Sequence, residues 1–497
     1  MPSSSLRAGL ATSAMLLALA AAPQTVVADE SVLGIYVFHR HGDRTTKSWP
    51  PTMLTALGAD QVYASGNYFR ERYVASNASS RISAVASDIA VLAQVAVTAP
   101  VDNVLQSSAN VFTQSLYPPA GTAAQQTLAN GTVMEAPLGG YQYIPVNIVS
   151  SAASASGSED SGWLQGSSGC NKAIISSNNY FSSSEYLETL NSTSDFYKSL
   201  LPVINTTFTS AQDTFKNAYT IFDYVHVSTI HNASIPSSDL LTDETLFQLQ
   251  TRADQHERGL AYNASEPVRA IAGAVLAGQI LQSLNTTARA VPTAKSTARL
   301  TFQFGAYGTF MSFFGLAQLT KASPNFAGIV DYASAIVFEL VTNASVTDAT
   351  EALDPSELSV RFLFSNGSAG VVGGLTEYPL FGQSETVLPW ITFADEMNKF
   401  AIGNTAAWCS ACGNSTGVCD PSLLGTGSAT SSSNATSSSN NSGGGSGGVS
   451  RPVAGVIGAL VTLAVILGLE ALVLLIGGLR VVKKNVAAAG KAASSSA

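Results

Sequence analysis

Two histidines and two arginines fall within six residues in the stretch His39-Arg40-His41-Gly42-Asp43-Arg44, in a chain of which only 11% is charged. They follow Gly34 to Phe38, an apolar run rich in β-branched and aromatic residues that reads as a buried strand. Two guanidinium forks flanking one imidazole suit a phosphate: they hold its oxygens in pairs and keep the ring neutral enough to attack phosphorus. Gly42 lets the backbone turn tightly and approach a ligand. Packing alone does not account for the segment, because buried arginines are costly unless paired. The residues therefore predict a phosphate or other anion site, with His41 as nucleophile and Arg40 and Arg44 as its clamp. His39 shares a face with His41 by alternation if the strand continues, and reaches the pocket if the chain turns after Phe38.

The elements around this segment must place it at a strand end. Val62, Phe69 and Tyr73 recur at helical spacing, so the strand is followed by a helix over Ala59 to Tyr73, the start of an α/β unit. In open sheets of that kind ligands bind outside the carboxyl ends of the strands, where His39 to Arg44 fall. Further helices are expected at Asp102 to Leu116, Ser210 to Asn217, Pro267 to Leu284 and Tyr307 to Leu319. Strands are expected at Ala298 to Phe304, Ala335 to Val341 and Ser359 to Ser365. The middle, 121–256, has weaker periodicity and more Ser and Asn, as an inserted cap would, leaving a core of 31–120 and 257–420. No internal repeat is visible.

The ends of the chain carry addresses rather than chemistry. Arg7, the apolar run Ala8 to Ala22 and Val26-Val27-Ala28 form a secretory signal over 1–28. Asn-x-Ser/Thr acceptor sites recur from Asn77 to Asn440, as in an exported glycoprotein. The four cysteines, Cys170, Cys409, Cys412 and Cys419, suit an oxidising compartment and allow three pairings; Cys409-x-x-Cys412 is the alternative redox or zinc pair. Residues 421–452 are Ser, Gly, Asn and Thr with almost nothing apolar, a flexible stalk. Val453 to Leu479 is apolar and long enough to cross a bilayer, with Glu470 its one acid. Arg480, Lys483 and Lys484 follow and place the tail 480–497 in the cytoplasm. That polar tail argues against cleavage for a lipid anchor. The net charge of −9 and the lack of basic clusters interleaved with aromatics exclude a nucleic-acid partner. No His, Asp or Glu cluster has ligand spacing, so neither metal nor cofactor is implied.

Arg40-His41-Gly42-Asp43-Arg44-Thr45-Thr46 resembles the Arg-His-Gly-x-Arg-x-Pro signature of the histidine acid phosphatases, the branch of the histidine phosphatase superfamily that includes phytases, with Thr46 in place of the proline. "LTALGADQVYASGNYFRERY" resembles that family's next helix, and "DNVLQSSANVFTQSLYPP" the segment after its second phosphate-binding strand. "ASAIVFEL" and "VRFLF" resemble its late strands, and "NKFAIGNTAAWCSACGN" the end of the domain in membrane-anchored members. The likeness covers about Val32 to Cys419.

The resemblance implies an α/β fold, a phosphoglycerate-mutase-like sandwich of a mixed sheet between helices with a smaller, mostly helical cap. It also implies that His41 becomes phosphohistidine while Arg40 and Arg44 bind the phosphate. Two further parts of the family's site have no match. Val97 stands where a third arginine is expected, and Ala306-Tyr307 where a phosphate-binding histidine and an acidic aspartate are expected. Glu257, beside His256, Tyr307 and His39 are the candidate replacement acids; Arg252, Arg258 and Arg269 are candidates for the third cation. His226 and His231 have no assigned role. Losing one donor to the transition state costs about 10² to 10³ in rate, and losing a general acid about 10² to 10⁴.

Two functions are consistent with this pattern. One is an extracellular, membrane-anchored phosphomonoesterase working at acid pH on a phosphorylated small molecule. The other is a catalytically impaired surface protein that binds an anionic ligand. Low Lys and Arg content disfavours a highly charged substrate such as phytate.

Overall fold

The computed structural model describes residues 30–149 and 169–424. The signal segment, nearly all of the stalk, the apolar segment 453–479 and the tail lie outside the described residues. Among the described residues no helix is long and apolar enough to cross a membrane.

Strand β1 (Ser31–Arg40) is buried along nearly its whole length because it lies in the middle of a sheet covered on both faces. The other strands are β2 (Val95–Pro100), β5 (Val146–Val149), β6 (Leu300–Gly305), β7 (Ala335–Thr342), β8 (Leu358–Ser365), β9 (Thr376–Glu377) and β10 (Val387–Pro389). Their order is β10-β8-β7-β1-β6-β2-β5, with β9 paired to β8; β3 (Gln126–Thr127) and β4 (Val133–Met134) form a separate hairpin. β1, β6, β2 and β5 run parallel, whereas β7 is antiparallel to both β1 and β8. Arg40 is in register with Gly305 of β6, so the two strands end side by side.

Alternation along β1 divides its side chains between two cores. Ile35 and Val37 pack with Phe69, Val97, Phe112, Phe302 and Phe304 on one face. Tyr36 and Phe38 pack with Leu276, Ile280, Phe310, Phe313 and Phe338 on the other. The helices Ala56–Phe69 and Asn103–Leu116 cover the first face, and Ile271–Ala288 and Tyr307–Leu316 the second. All four were anticipated from periodicity to within a few residues.

The cap is helical, built from Asn171–Asn179, Ser184–Ser192, Ser194–Ile204, Ala218–His231 and Asp243–Ala261 around its own cluster of Tyr197, Leu200, Ile204, Phe215, Ile221 and Leu249. Two expectations shift here. β5 lies inside the range 121–256 assigned to the cap yet belongs to the main sheet, so the insertion leaves the core only after Val149. The helix expected at Ser210 to Asn217 is a single 3₁₀ turn, Phe215–Asn217, leading into Ala218–His231. That helix is dense in β-branched and aromatic residues with little helical preference, so its packing in the cap decides its state. Cys170 pairs with Cys412 and Cys409 with Cys419. The Cys409-x-x-Cys412 redox or zinc alternative therefore falls away: each cysteine has a different partner.

Candidate active site

β1 runs two residues further than its apolar pattern suggests, because Arg40 still pairs with Gly305 and its N–H donates to the Ser334 carbonyl at 2.8 Å. His41 is the first residue beyond the strand. The chain then passes against the first turn of helix Ala56–Phe69 in direct backbone contact. A Cβ on Gly42 would stand 2.1 Å from the Gly58 carbonyl oxygen, and one on Gly58 2.0 Å from that of Asp43, so neither position accepts a side chain. Thr55 caps the helix at the Gly58 N–H and donates to Asp43 Oδ1 at 2.5 Å. Gln61 Oε1 accepts the Asp43 N–H at 2.8 Å, and Ser108 Oγ that of Gly42 at 3.3 Å.

His41 is 1% exposed, and its Nδ1 stands 2.8 Å from the Gly42 carbonyl oxygen. A ring nitrogen facing a carbonyl carries the proton, which leaves the lone pair on Nε2. Arg40 donates to the Val330 carbonyl, and its guanidinium lies 4.6 Å from the Tyr332 ring centre and 5.5 Å from that of Tyr307. Arg44 is fully buried, with Nη2 2.8 Å from Asp223 Oδ1 and donating to the Tyr219 hydroxyl at 3.1 Å. Asp223 Oδ2 accepts from the Thr46 hydroxyl and the Lys47 N–H, each at 2.8 Å. Burial alone would raise the pKa of Asp223, but the Arg44 charge and these hydrogen bonds outweigh it and hold the carboxyl below its usual range. The Thr46 that replaces the signature proline thus serves to anchor the cap helix Ala218–His231, whose last residue, His231, reaches Asp43 Oδ1 through Nε2 at 2.6 Å.

The two acid candidates meet. Tyr307 opens the helix after β6, and its hydroxyl donates to Glu257 Oε2 at 2.8 Å, while His256 Nδ1 donates to Glu257 Oε1 at 2.8 Å. Tyr307 also packs on Tyr219, with ring centres 4.8 Å apart. The structure sends His39 elsewhere. It is fully buried between Phe112 and Phe304, with Nδ1 2.5 Å from the Arg40 carbonyl oxygen, and burial pushes its pKa down to about 4 despite that bond. Continued alternation turns it into the core, so it is not an acid in the pocket.

Val97 is likewise a wrong position for the third cation: it lies fully buried in mid-strand, in register with Phe302 and Val146. Residues 95–116, which continue past the strand end, hold no arginine. Arg252 donates to Gln255, and Arg269 to Ser176, the Gly259 carbonyl and Glu266. A cation that shares these tyrosine neighbours with Arg40 and Arg44 is Lys47, half-buried, with Nζ 5.5 Å from the Tyr219 ring centre and 5.8 Å from that of Tyr307. It stood three residues beyond Arg44 in the same loop and was legible as a nearby charge.

Tyr332 closes the other side. Its ring centre is 5.6 Å from that of His41 and 6.0 Å from that of His226, and 5.8 Å from the Arg44 guanidinium. Ala333, at φ 60°, donates its N–H to the His41 carbonyl at 2.8 Å and ties this loop to the strand end. A cavity of about 30 Å³ beside Tyr332 is bounded by Arg40, Asp223, His226, Gln250 and Asp331. Burial and then Arg40 lower the pKa of His226, against the opposing pull of Asp331, Asp223 and Asp43.

A model of the histidine phosphatase superfamily, branch 2, matches residues 44–365, and the chain belongs to this superfamily. The matched region starts at Arg44, so Arg40 and His41 lie just before it. A search of curated proteins returns no significant match. Among solved structures, the chain is similar to the Hafnia alvei phytase in complex with tartrate, at 12% identity and a TM-score of 0.49 over 77% of this chain and 98% of that one. It is similar to the phytase of Citrobacter braakii, at 12% identity and a TM-score of 0.48 over 77% and 99%. The Bifidobacterium longum multiple inositol polyphosphate phosphatase in complex with inositol hexasulfate aligns at 12% identity and a TM-score of 0.41 over 75% and 95%.

Proposed function

We propose that this chain is an acid phosphomonoesterase that uses His41 as its nucleophile. Nε2 of His41 attacks phosphorus, the bond to the leaving oxygen breaks, and a phosphohistidine forms; water then displaces the histidine and releases phosphate. Arg40, Arg44 and Lys47 supply the positive charge that receives the phosphoryl oxygens. The observation that carries the reading is the Tyr307–Glu257 hydrogen bond beside Arg40. Glu257 passes a proton to the phenol oxygen as the phenol proton passes to the leaving oxygen, so the pair serves poor leaving groups. The scheme uses no metal or cofactor.

The same proposal places the enzyme outside the cell, exported by 1–28 and held by 453–479 as a single-pass membrane protein with 480–497 in the cytoplasm. The acceptor asparagines and the two disulfides support an oxidising, secretory setting.

A second reading, an impaired phosphatase that binds anions, is favoured by one arrangement: Arg44 is already paired with Asp223, and Tyr332 lies over His41 and both arginines. Hydrolysis of an aryl and an alkyl phosphate from pH 3 to 8, beside His41→Ala, separates the two. The enzyme reading expects both to be turned over and both to be lost in the variant. Turnover no higher than that of His41→Ala establishes the binding reading instead.

A further inference from the structure

Between the cap helices Ala218–His231 and Asp243–Ala261 lies a cleft of about 260 Å³, far larger than the cavity at Arg40 and adjacent to it. The two share Phe222, His226 and Gln250 as common walls. On one side of that wall stand Arg40, Asp223 and Asp331; on the other, Val225, Leu246, Phe247 and Leu249. Phe222 and His226 stack with an interplanar angle of 17° and ring centres 5.3 Å apart, forming a flat partition. Among the described residues, no Lys, Arg, Asp or Glu lines the cleft. Its rim holds Phe247 at 65% exposure, an aromatic side chain kept in water without a partner among the described residues.

Arg40 stands on one side, where Asp223 is neutralised by Arg44, and apolar side chains stand on the other, an arrangement that suits an amphiphile. We infer that the site selects phosphate monoesters of apolar alcohols, with the phosphate at Arg40 and the alkyl or aryl group in the cleft between the two cap helices. The inference rests on the phosphatase reading for its chemistry and on the cleft for its selectivity. A polyphosphorylated ligand would place charge against Leu246, Phe247 and Leu249, apolar side chains that offer it no hydrogen bond. An apolar alcohol instead covers Phe247 and gains roughly fourfold in affinity for each methylene that leaves water.

The test uses the full chain and non-hydrolysable probes, so that binding is read without turnover. Ethyl-, butyl- and hexylphosphonate are titrated by calorimetry below their micelle concentrations. Affinity is expected to rise roughly 200-fold from ethyl to hexyl, the worth of four buried methylenes. Phe247→Glu, at an exposed position, is expected to abolish that rise while leaving the circular dichroism spectrum intact. Equal affinity for all three chains, or no binding of any, overturns the inference. Equal affinity together with concentration-dependent dimerisation in sedimentation assigns the cleft to a second copy of the chain. Turnover of ethyl phosphate is measured in parallel. Turnover with a flat ladder sinks the inference alone, whereas a steep ladder without turnover sinks only the catalytic reading.

Discussion

Asp223→Ala probes the joint between cap and clamp. The wild-type carboxylate is 3% exposed and its partner Arg44 is fully buried; three hydrogen-bond donors converge on the two carboxylate oxygens, from Arg44, Thr46 and the Lys47 backbone. Truncation leaves a buried guanidinium without its counter-charge, and breaking such a pair from one side costs about 3–5 kcal/mol. With an unfolding entropy of ~2.1 cal/mol/K per residue, a folded region of roughly 380 residues has ~0.8 kcal/mol/K, so Tm should fall by about 4–6 °C. Differential scanning fluorimetry at pH 7 and fixed scan rate reads this directly. The folded pKa of Asp223 lies below its unfolded value, so its contribution is present above about pH 4 and is lost as pH falls through the folded pKa. The gap between parent and variant should therefore narrow in acid. A Tm within 1 °C of the parent at pH 7, or a gap that widens on acidification, would refute the argument that Asp223 balances Arg44.

Three further outcomes follow from the same geometry. Tyr307→Phe and Glu257→Gln should each lower kcat for an alkyl phosphate by about 10²–10⁴ and change an activated aryl phosphate far less, because only the poorer leaving group needs the proton; equal losses on both substrates would exclude the relay. Asp254, whose pKa is pushed up to about 6 by burial, with Asp331 adding to it and the Ile329 N–H opposing it, favours folding less as pH rises from about 4 to about 6. Asp254→Asn should accordingly raise Tm at pH 7.5 and leave it unchanged at pH 4, and a variant with no gain at pH 7.5 would contradict this. Chain entropy assigns ~5.5 kcal/mol to the Cys170–Cys412 crosslink, which spans 242 residues, and ~2.7 kcal/mol to Cys409–Cys419, which spans 10. Urea denaturation should show the Cys170→Ala/Cys412→Ala pair losing about twice as much as Cys409→Ala/Cys419→Ala, and equal losses would speak against an entropic origin.

The sequence alone determined the strand, the loop chemistry and the helix after it, since these are written in consecutive residues with a readable period. Gly34 to Phe38 alternates into a sheet, His41 and its two arginines follow at once, and Val62, Phe69 and Tyr73 mark the next helix. The likeness to the histidine phosphatases was legible for the same reason: its motif is local. Where a side chain's meaning depends on what lies across space, the sequence was mute. His39 and His41 share a parity, yet the extra two residues of β1 pairing put one between Phe112 and Phe304 and leave the other beyond the strand. The four cysteines allowed three pairings, and only the docking of the Cys170 helix start against Cys412 selects one. Glu257 and Tyr307 stood in the sequence as separate candidates fifty residues apart; a single hydrogen bond makes them one unit. Asp223, Tyr219 and His226 sit on a cap helix whose composition carries no helical preference, so both its existence and its seat over Arg44 are products of packing. Local chemistry was set by neighbours in the chain, whereas partnership was set by long-range contacts that no period records.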